Sequence, residues 1–189
     1  SLTQPNPSDR LPIDLVSQHG EMIESYQTSV KKRIVTKPIL CLPLYSRRGP
    51  DKEKFVAEKS GLNQWNAKGR PRNANEVYIP IPKWIHNKFP NFFPPRDVSF
   101  DLQVPYGKWL DAKVCQDGSK ALMTNPNKAL GEWLLRDVMN LKEHELLTYE
   151  MLEGLDIDSV IISKESEDQF SIDFCSVGTY DYFKLSNDD

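Results

Sequence analysis

Residues 60–72 read Ser-Gly-Leu-Asn-Gln-Trp-Asn-Ala-Lys-Gly-Arg-Pro-Arg and lead, after Asn-Ala-Asn, into Glu-Val-Tyr-Ile-Pro-Ile-Pro at 76–82. Opening on Ser60, the first stretch carries three amides (Asn63, Gln64, Asn66), three cations (Lys68, Arg70, Arg72), one aromatic (Trp65) and no acid. Its apolar residues are too sparse for helical or strand periodicity, and Gly61, Gly69 and Pro71 interrupt any regular element. The second stretch reads as a strand. A basic, amide-rich arm feeding a strand holds the groups that read base edges, because Arg forks onto guanine O6/N7 and Asn or Gln onto adenine N6/N7.

The 189 residues suit one domain with extensions, and 39% hydrophobic with 27% charged residues describes a globular chain with a real core. No apolar run approaches a membrane span and no signal-peptide pattern opens the sequence. Cys41, Cys115 and Cys175 are odd in number and scattered, which predicts a reducing, cytoplasmic setting without a disulfide framework. With no CxxC spacing and with His19, His86 and His144 far apart, neither a metal site nor a cofactor is expected. The net charge of −3 hides an asymmetry. Cations gather at Arg47, Arg48, Lys52, Lys54, Lys59, Lys68, Arg70 and Arg72, and acids between Glu143 and Asp168. A duplex answers to the field of the face it meets, screened within roughly 8 Å at physiological salt, but two oppositely charged solvated faces would give the same pattern.

Outward from the arm, residues 1–36 are expected to be a linker or junction, with weak helical spacing over 21–33. Residues 37–45, Lys-Pro-Ile-Leu-Cys-Leu-Pro-Leu-Tyr, form an apolar run whose prolines place a strand at an edge or a bulge. Residues 46–59 read as a charged connection in which Arg47 and Arg48 are phosphate candidates. Proline at 82 and 90 brackets a short helix. Phe92 and Phe93 are expected to turn inward. Residues 98–104 alternate as a half-buried strand, partnered by 109–115 across Pro-Tyr-Gly-Lys. Asp117-Gly118 signals a hairpin, so residues 116–127 form a second polar projection. Residues 130–138 read as a helix with Trp133 and Leu134 inward, 146–155 fit helix or strand, and 160–163 and 169–174 read as strands about an acidic turn. The tail from 176 is expected to fray. Many short strands with few helices predict a mainly β barrel.

Residues 60–72, residues 76–82 and Gly-Ser-Lys-Ala-Leu-Met-Thr-Asn-Pro-Asn at 118–127 together resemble the C-terminal recognition domain of NgoFVII/NgoAVII-type restriction endonucleases. That domain is B3-like, similar to the DNA-binding pseudobarrel of plant transcription factors, and the resemblance covers about residues 39–177. It implies a seven-stranded open pseudobarrel with two short flanking helices over 37–180, and two arms that grip the major groove. The first arm corresponds to 60–72 and the second to 116–127. The family's full enzymes carry a phospholipase-D-type nuclease domain with a His and Lys pair at fixed short spacing. Of the three histidines only His86 has a lysine two residues on, Lys88, and that pair falls in the short helix expected between Pro82 and Pro90. The expectation is a recognition domain with no catalytic residue of its own, monomeric in isolation, whose partners are double-stranded DNA and the nuclease domain of the full-length bacterial enzyme.

Each candidate has an ordinary reading beside the functional one. Arg70 or Arg72, flanking Pro71, is expected to pair with guanine, against phosphate contact or plain exposure. Asn63, Gln64 and Asn66 either meet adenine or brace the arm. Trp65 is expected to be an apolar peg, and Lys68 reaches a guanine acceptor or a phosphate. On the second arm Gln116 opens the turn, Asp117 suits cytosine N4 or simply forms the turn, Lys120 suits guanine, and Met123 and Thr124 suit a thymine methyl. Asn125 and Asn127 contact bases or cap the helix that begins near Lys128. Lys113 joins Arg47 and Arg48 as a phosphate candidate. Two other classes remain open: a β-barrel whose basic loop docks an acidic protein, and a magnesium nuclease built on acids such as Asp156 and Asp158. No nucleophile elbow or glycine-rich phosphate loop supports other catalysis.

Overall fold

The structure, a computed structural model, describes residues 37–187. The expected junction and the weak helix over 21–33 lie outside these residues. Seven strands close almost into a barrel: β1 Ile39–Pro43, β4 Ile79–Pro80, β5 Phe100–Gln103, β6 Trp109–Cys115, β7 Ala121–Thr124, β8 Ser159–Lys164 and β9 Gln169–Cys175. Their order around the sheet is β1-β8-β9-β5-β6-β7-β4, antiparallel throughout except for the parallel β5–β9 pair. The ends of this order, β1 and β4, approach each other without a ladder, leaving one open seam. Proline explains much of the gap. Pro43 ends β1, Pro80 lies in β4 and Pro82 follows it, and none has an N–H to donate.

Alternation fills the barrel. Leu110, Ala112 and Val114 of β6 face inward while Trp109 and Asp111 face out. Phe93, Phe100 and Phe170 stack at 4.7–6.0 Å between ring centroids, and Phe92 meets Phe93 edge-on at 4.9 Å, as their position before Pro94-Pro95 predicts. Each buried phenyl contributes about 1.5–3 kcal/mol of apolar burial.

Helices plug the ends and flanks. Helix α1 (Lys83–Lys88) follows Pro82 and stops before Pro90. Helix α2 (Lys128–Gly131) runs on into a wider π-helical stretch, Glu132–Val138, whose Trp133 stacks on Phe174 at 4.9 Å. The ambiguous 146–155 segment resolves as helix α3 (Tyr149–Gly154), because the Thr148 hydroxyl accepts the Met151 N–H at 3.3 Å and caps its first turn.

Two expectations need correction. Residues 46–59 are not a bare connection: Ser46–Arg48 (β2) and Glu53–Phe55 (β3) pair as an antiparallel hairpin outside the barrel. The tail does not fray after 176. It forms helix α4 (Thr179–Asn187), which buries Tyr180 and Phe183 against Trp84, with Trp84 Nε1 donating to Tyr180 Oη at 2.8 Å. Local propensity missed α4 because its aromatic spacing is legible only beside α1.

Candidate nucleic-acid interface

The first arm divides into an anchored half and a presented half. Residues 61–66 form a 3-10 turn docked on the entry to β4: the Tyr78 N–H donates to Gly61 O at 3.0 Å. Gly61 is required there, since a Cβ would stand 2.6 Å from the Tyr78 carbonyl oxygen. Leu62 inserts into the core. Asn63 is fully buried, its amide donating to Ala57 O and Leu147 O at 3.0 Å each and accepting the Leu147 N–H at 2.9 Å. Of the two readings for Asn63, bracing is the one the geometry supports, because the side chain is fully buried and both its amide N–H donors are taken. Asn66 likewise donates to Glu58 O at 2.9 Å. Trp65 packs edge-on against His144 at 5.2 Å, in the manner of a peg, and its Nε1 and Gln64 Oε1 are enclosed without a partner among the described residues. The Ser60 hydroxyl is enclosed in the same way.

From residue 67 the chain turns outward. Lys68 and Arg70 are exposed, and no ion pair among the described residues engages Lys68. Arg72 is half-buried and closes the loop by donating to Ala67 O at 3.2 Å. Arg70 donates through Nη2 to Glu76 Oε2 at 3.1 Å. Behind this half, Arg136 spans four acceptors: Asn75 Oδ1, Ala74 O, Leu141 O and Lys142 O, at 2.6–3.1 Å.

The second arm is the β6–β7 hairpin and the turn after it. Gln116, Gly118 and Ser119 take positive φ of 68°, 73° and 54°, which tightens the tip around Asp117. Asp117 projects into solvent, 3.3 Å from Arg96 Nη1. The tip is held from beneath: His86 Nε2 lies 2.7 Å from Ser119 O, and the Ile81 N–H donates to Lys120 O at 2.8 Å. The Lys120 side chain is exposed and has no ion pair among the described residues. Met123 is half-buried opposite Lys113. Thr124 is a correction: it is buried, and its hydroxyl donates to Pro126 O and accepts the Leu130 N–H, each at 3.0 Å. Thr124 therefore secures the start of α2, the role expected of Asn125 or Asn127. Asn127 occupies the cap position without a side-chain cap bond, and Asn125 is exposed beyond a backbone bond from its N–H to Asp111 O at 2.8 Å.

The two arms share one surface feature. A cleft of about 410 Å³ lies at the open seam between Pro43–Ser46 and Tyr78–Pro82, and both Ser60 of the first arm and Lys120 of the second line it. The three phosphate candidates carry acidic neighbours. Arg47 donates to Asp181 at 2.7 Å, Arg48 lies 3.6 Å from Glu53 and over the Phe55 ring, and Lys113 lies 3.6 Å from Asp97.

Sequence reading missed Glu76, Arg136 and the group beneath the β2–β3 hairpin. There Asp158, fully buried, accepts from Tyr149 Oη at 2.8 Å and Lys54 Nζ at 3.0 Å, and Lys54 lies over the Tyr45 ring at 4.7 Å. Burial pushes the Asp158 carboxyl up, against the Tyr149 hydrogen bond and the Lys54 charge, which pull it down. Burial also pushes the Tyr45 and Tyr149 phenols up, helped by the same carboxylate. Asp158, one of the acids weighed for magnesium, is thus a partner of Lys54. No group of acids, histidines and cysteines among the described residues has the arrangement of a metal site. Cys41, Cys115 and Cys175 are buried, and among the described residues no helix is long and apolar enough to cross a membrane.

No curated protein matches the sequence. A solved structure of a hypothetical Arabidopsis thaliana protein is similar at 12% identity and a TM-score of 0.35, over 75% of this chain and 93% of that one. The family model described as the NgoFVII C-terminal B3-like DNA-binding domain matches residues 19–164. That span takes in the first arm, the second arm and every barrel strand but β9. A barrel with an open seam and two polar projections fits the match, and the chain belongs to the family of the NgoFVII C-terminal B3-like DNA-binding domain.

Proposed function

We propose that this DNA-binding domain recognises a specific double-stranded sequence through two arms in the major groove, as the target-recognition part of a type II restriction endonuclease. The observation that carries the reading is the shared cleft, where Ser60 of one arm and Lys120 of the other line the same surface. Two rigidly based projections on one side of a barrel can meet a duplex together, and anchoring limits the ordering entropy lost on docking. In this reading Arg70, Lys68 and Lys120 supply base or phosphate contacts, with Arg72, Gln116, Asp117, Met123, Asn125 and Asn127 beside them. Asn63, Trp65 and Thr124 hold the arms in place. Cleavage belongs to a separate phospholipase-D-type nuclease domain of the full enzyme, and the recognition domain alone is monomeric.

The test is selection from randomised duplexes, followed by titration of selected and scrambled duplexes over a range of salt. A defined preference, with log affinity falling steeply against log salt, is the expected result. Equal affinity for both duplexes would remove sequence recognition. Failure to bind any duplex, with capture of an acidic protein instead, would move the function to protein docking.

A further inference from the structure

We propose that Glu76 is the positioning residue for Arg70: it holds the guanidinium so that its free edge meets a base and cannot swing to a phosphate. The inference rests on the reading of the first arm given above. A carboxylate beside an arm that approaches DNA opposes the phosphate charge, so its presence calls for a compensating role. Glu76 is placed for one. Its side chain is 10% exposed whereas that of Arg70 is 59% exposed, so the acid is fixed and the guanidinium reaches out from it.

The fixing is continuous with the body of the fold. Glu76 Oε2 accepts from Arg70 Nη2 at 3.1 Å, and Oε1 accepts from the Asn73 N–H at 3.4 Å. Asn73 Oδ1 accepts the Asn75 N–H at 2.9 Å, and Asn75 Oδ1 accepts Arg136 Nε at 2.7 Å. Arg136 is itself bound to the carbonyls of Leu141 and Lys142 at 2.8 and 2.6 Å. A guanidinium has five N–H donors in one plane. With one amino group engaged by Glu76, and Nη1 only 3.4 Å from Pro71 O, donors remain for the paired acceptors of a guanine edge. The neutralised pair also attracts a phosphate less than a free arginine would. Glu76 thereby trades indiscriminate affinity for discrimination.

The experiment compares the wild type with Glu76→Gln, Arg70→Ala, Arg70→Lys and the Arg70→Ala/Glu76→Gln double variant. Each is measured on the selected duplex, on duplexes changed at each base pair, and on scrambled DNA, with thermal melting as a check on folding. Arg70→Ala should lose about 5- to 150-fold discrimination at one base pair, the range of one bidentate contact. Glu76→Gln should lose discrimination at that same base pair, hold scrambled DNA as tightly as the wild type or more so, and steepen the salt slope by about one. The double variant should discriminate no worse than Arg70→Ala. Arg70→Lys keeps the charge but lacks the fork, and should lose as much discrimination as Arg70→Ala at unchanged salt slope.

Full discrimination by Glu76→Gln, or losses that add in the double variant, would overturn the proposal. So would uniform weakening on every duplex with a lowered melting point, which is the mark of a merely structural acid. Should Glu76→Gln fail to fold, Arg70→Lys decides: discrimination retained by lysine leaves no fork for Glu76 to hold. A wild type that shows no preference at all sinks the DNA-reading role itself, before Glu76 is tested.

Discussion

Asn63 and Leu147 exchange hydrogen bonds across 84 positions of sequence: the Asn63 amide donates to the Leu147 carbonyl at 3.0 Å, and the Leu147 N–H returns one to Asn63 Oδ1 at 2.9 Å. This is the ladder geometry of a strand pair made by a side chain, and it fastens the base of the first arm to the loop before α3. Asn63→Ala leaves the buried Leu147 N–H and carbonyl without their side-chain partners, while the Ala57 carbonyl keeps the Ser60 N–H at 3.0 Å. A loss of about 2–4 kcal/mol is expected, read as a lower denaturant midpoint. Molecules that remain folded should keep their base preference but bind with a larger ordering cost. Loss of preference at a single base pair would contradict the bracing role.

Gly131 is in a different position, packed on backbone. A Cβ there would stand 1.9 Å from Asn75 O, in the loop that carries Glu76. Gly131→Ala should cost at least about 3 kcal/mol, because a carbonyl and not a flexible side chain must move. Gly154, with nothing within 4 Å, is the control at the end of α3. Gly154→Ala should stabilise by about 0.5 kcal/mol through the unfolded chain. Paired thermal melts check both.

The buried Asp158 sets a pH dependence. Its native carboxyl is raised above the ordinary value of 3.8, chiefly by burial, so the unfolded chain releases this proton first as pH rises. The stabilisation of the protonated form is complete below 3.8 and is lost as pH climbs through the raised native value. Asp158→Asn cannot titrate. The stability difference, wild type minus variant, should therefore fall through that window and level off above it. Urea unfolding at stepped pH measures the difference, and a rise in place of a fall would mean that Lys54 and Tyr149 outweigh burial.

Exposed cations on the arms should differ from those on the hairpin. Lys68→Ala and Lys120→Ala are each expected to lower the salt slope of duplex binding by about one if they meet phosphates. Arg48 is engaged by Glu53 at 3.6 Å and lies over Phe55 at 4.3 Å, so Arg48→Ala should change the slope less. Titrations between low and physiological salt distinguish the two groups.

What could be read along the chain was whatever rests on local chemistry. The arm at 60–72 stood out by its amides and cations, the hairpin by Asp117-Gly118, α1 by its bracketing prolines, and the barrel strands by alternation. Readings that depend on a distant partner did not follow. Trp84 and Tyr180 are 96 positions apart, and without that contact the spacing of α4 looked like a tail.

The order of residues alone therefore determined that two polar projections leave a β-rich body, because turn chemistry and side-chain period act over a few residues. Tertiary structure alone decided which arm residues point outward. Asn63 and Asn66 are both arm amides with the same hydrogen-bonding groups as any base reader, yet Asn63 spends both N–H donors on the Ala57 and Leu147 carbonyls and Asn66 gives one to the Glu58 carbonyl. Burial and partner supply are properties of the packed chain, and Asn63, fully buried with its amide bonded to Ala57 and Leu147, cannot reach a base.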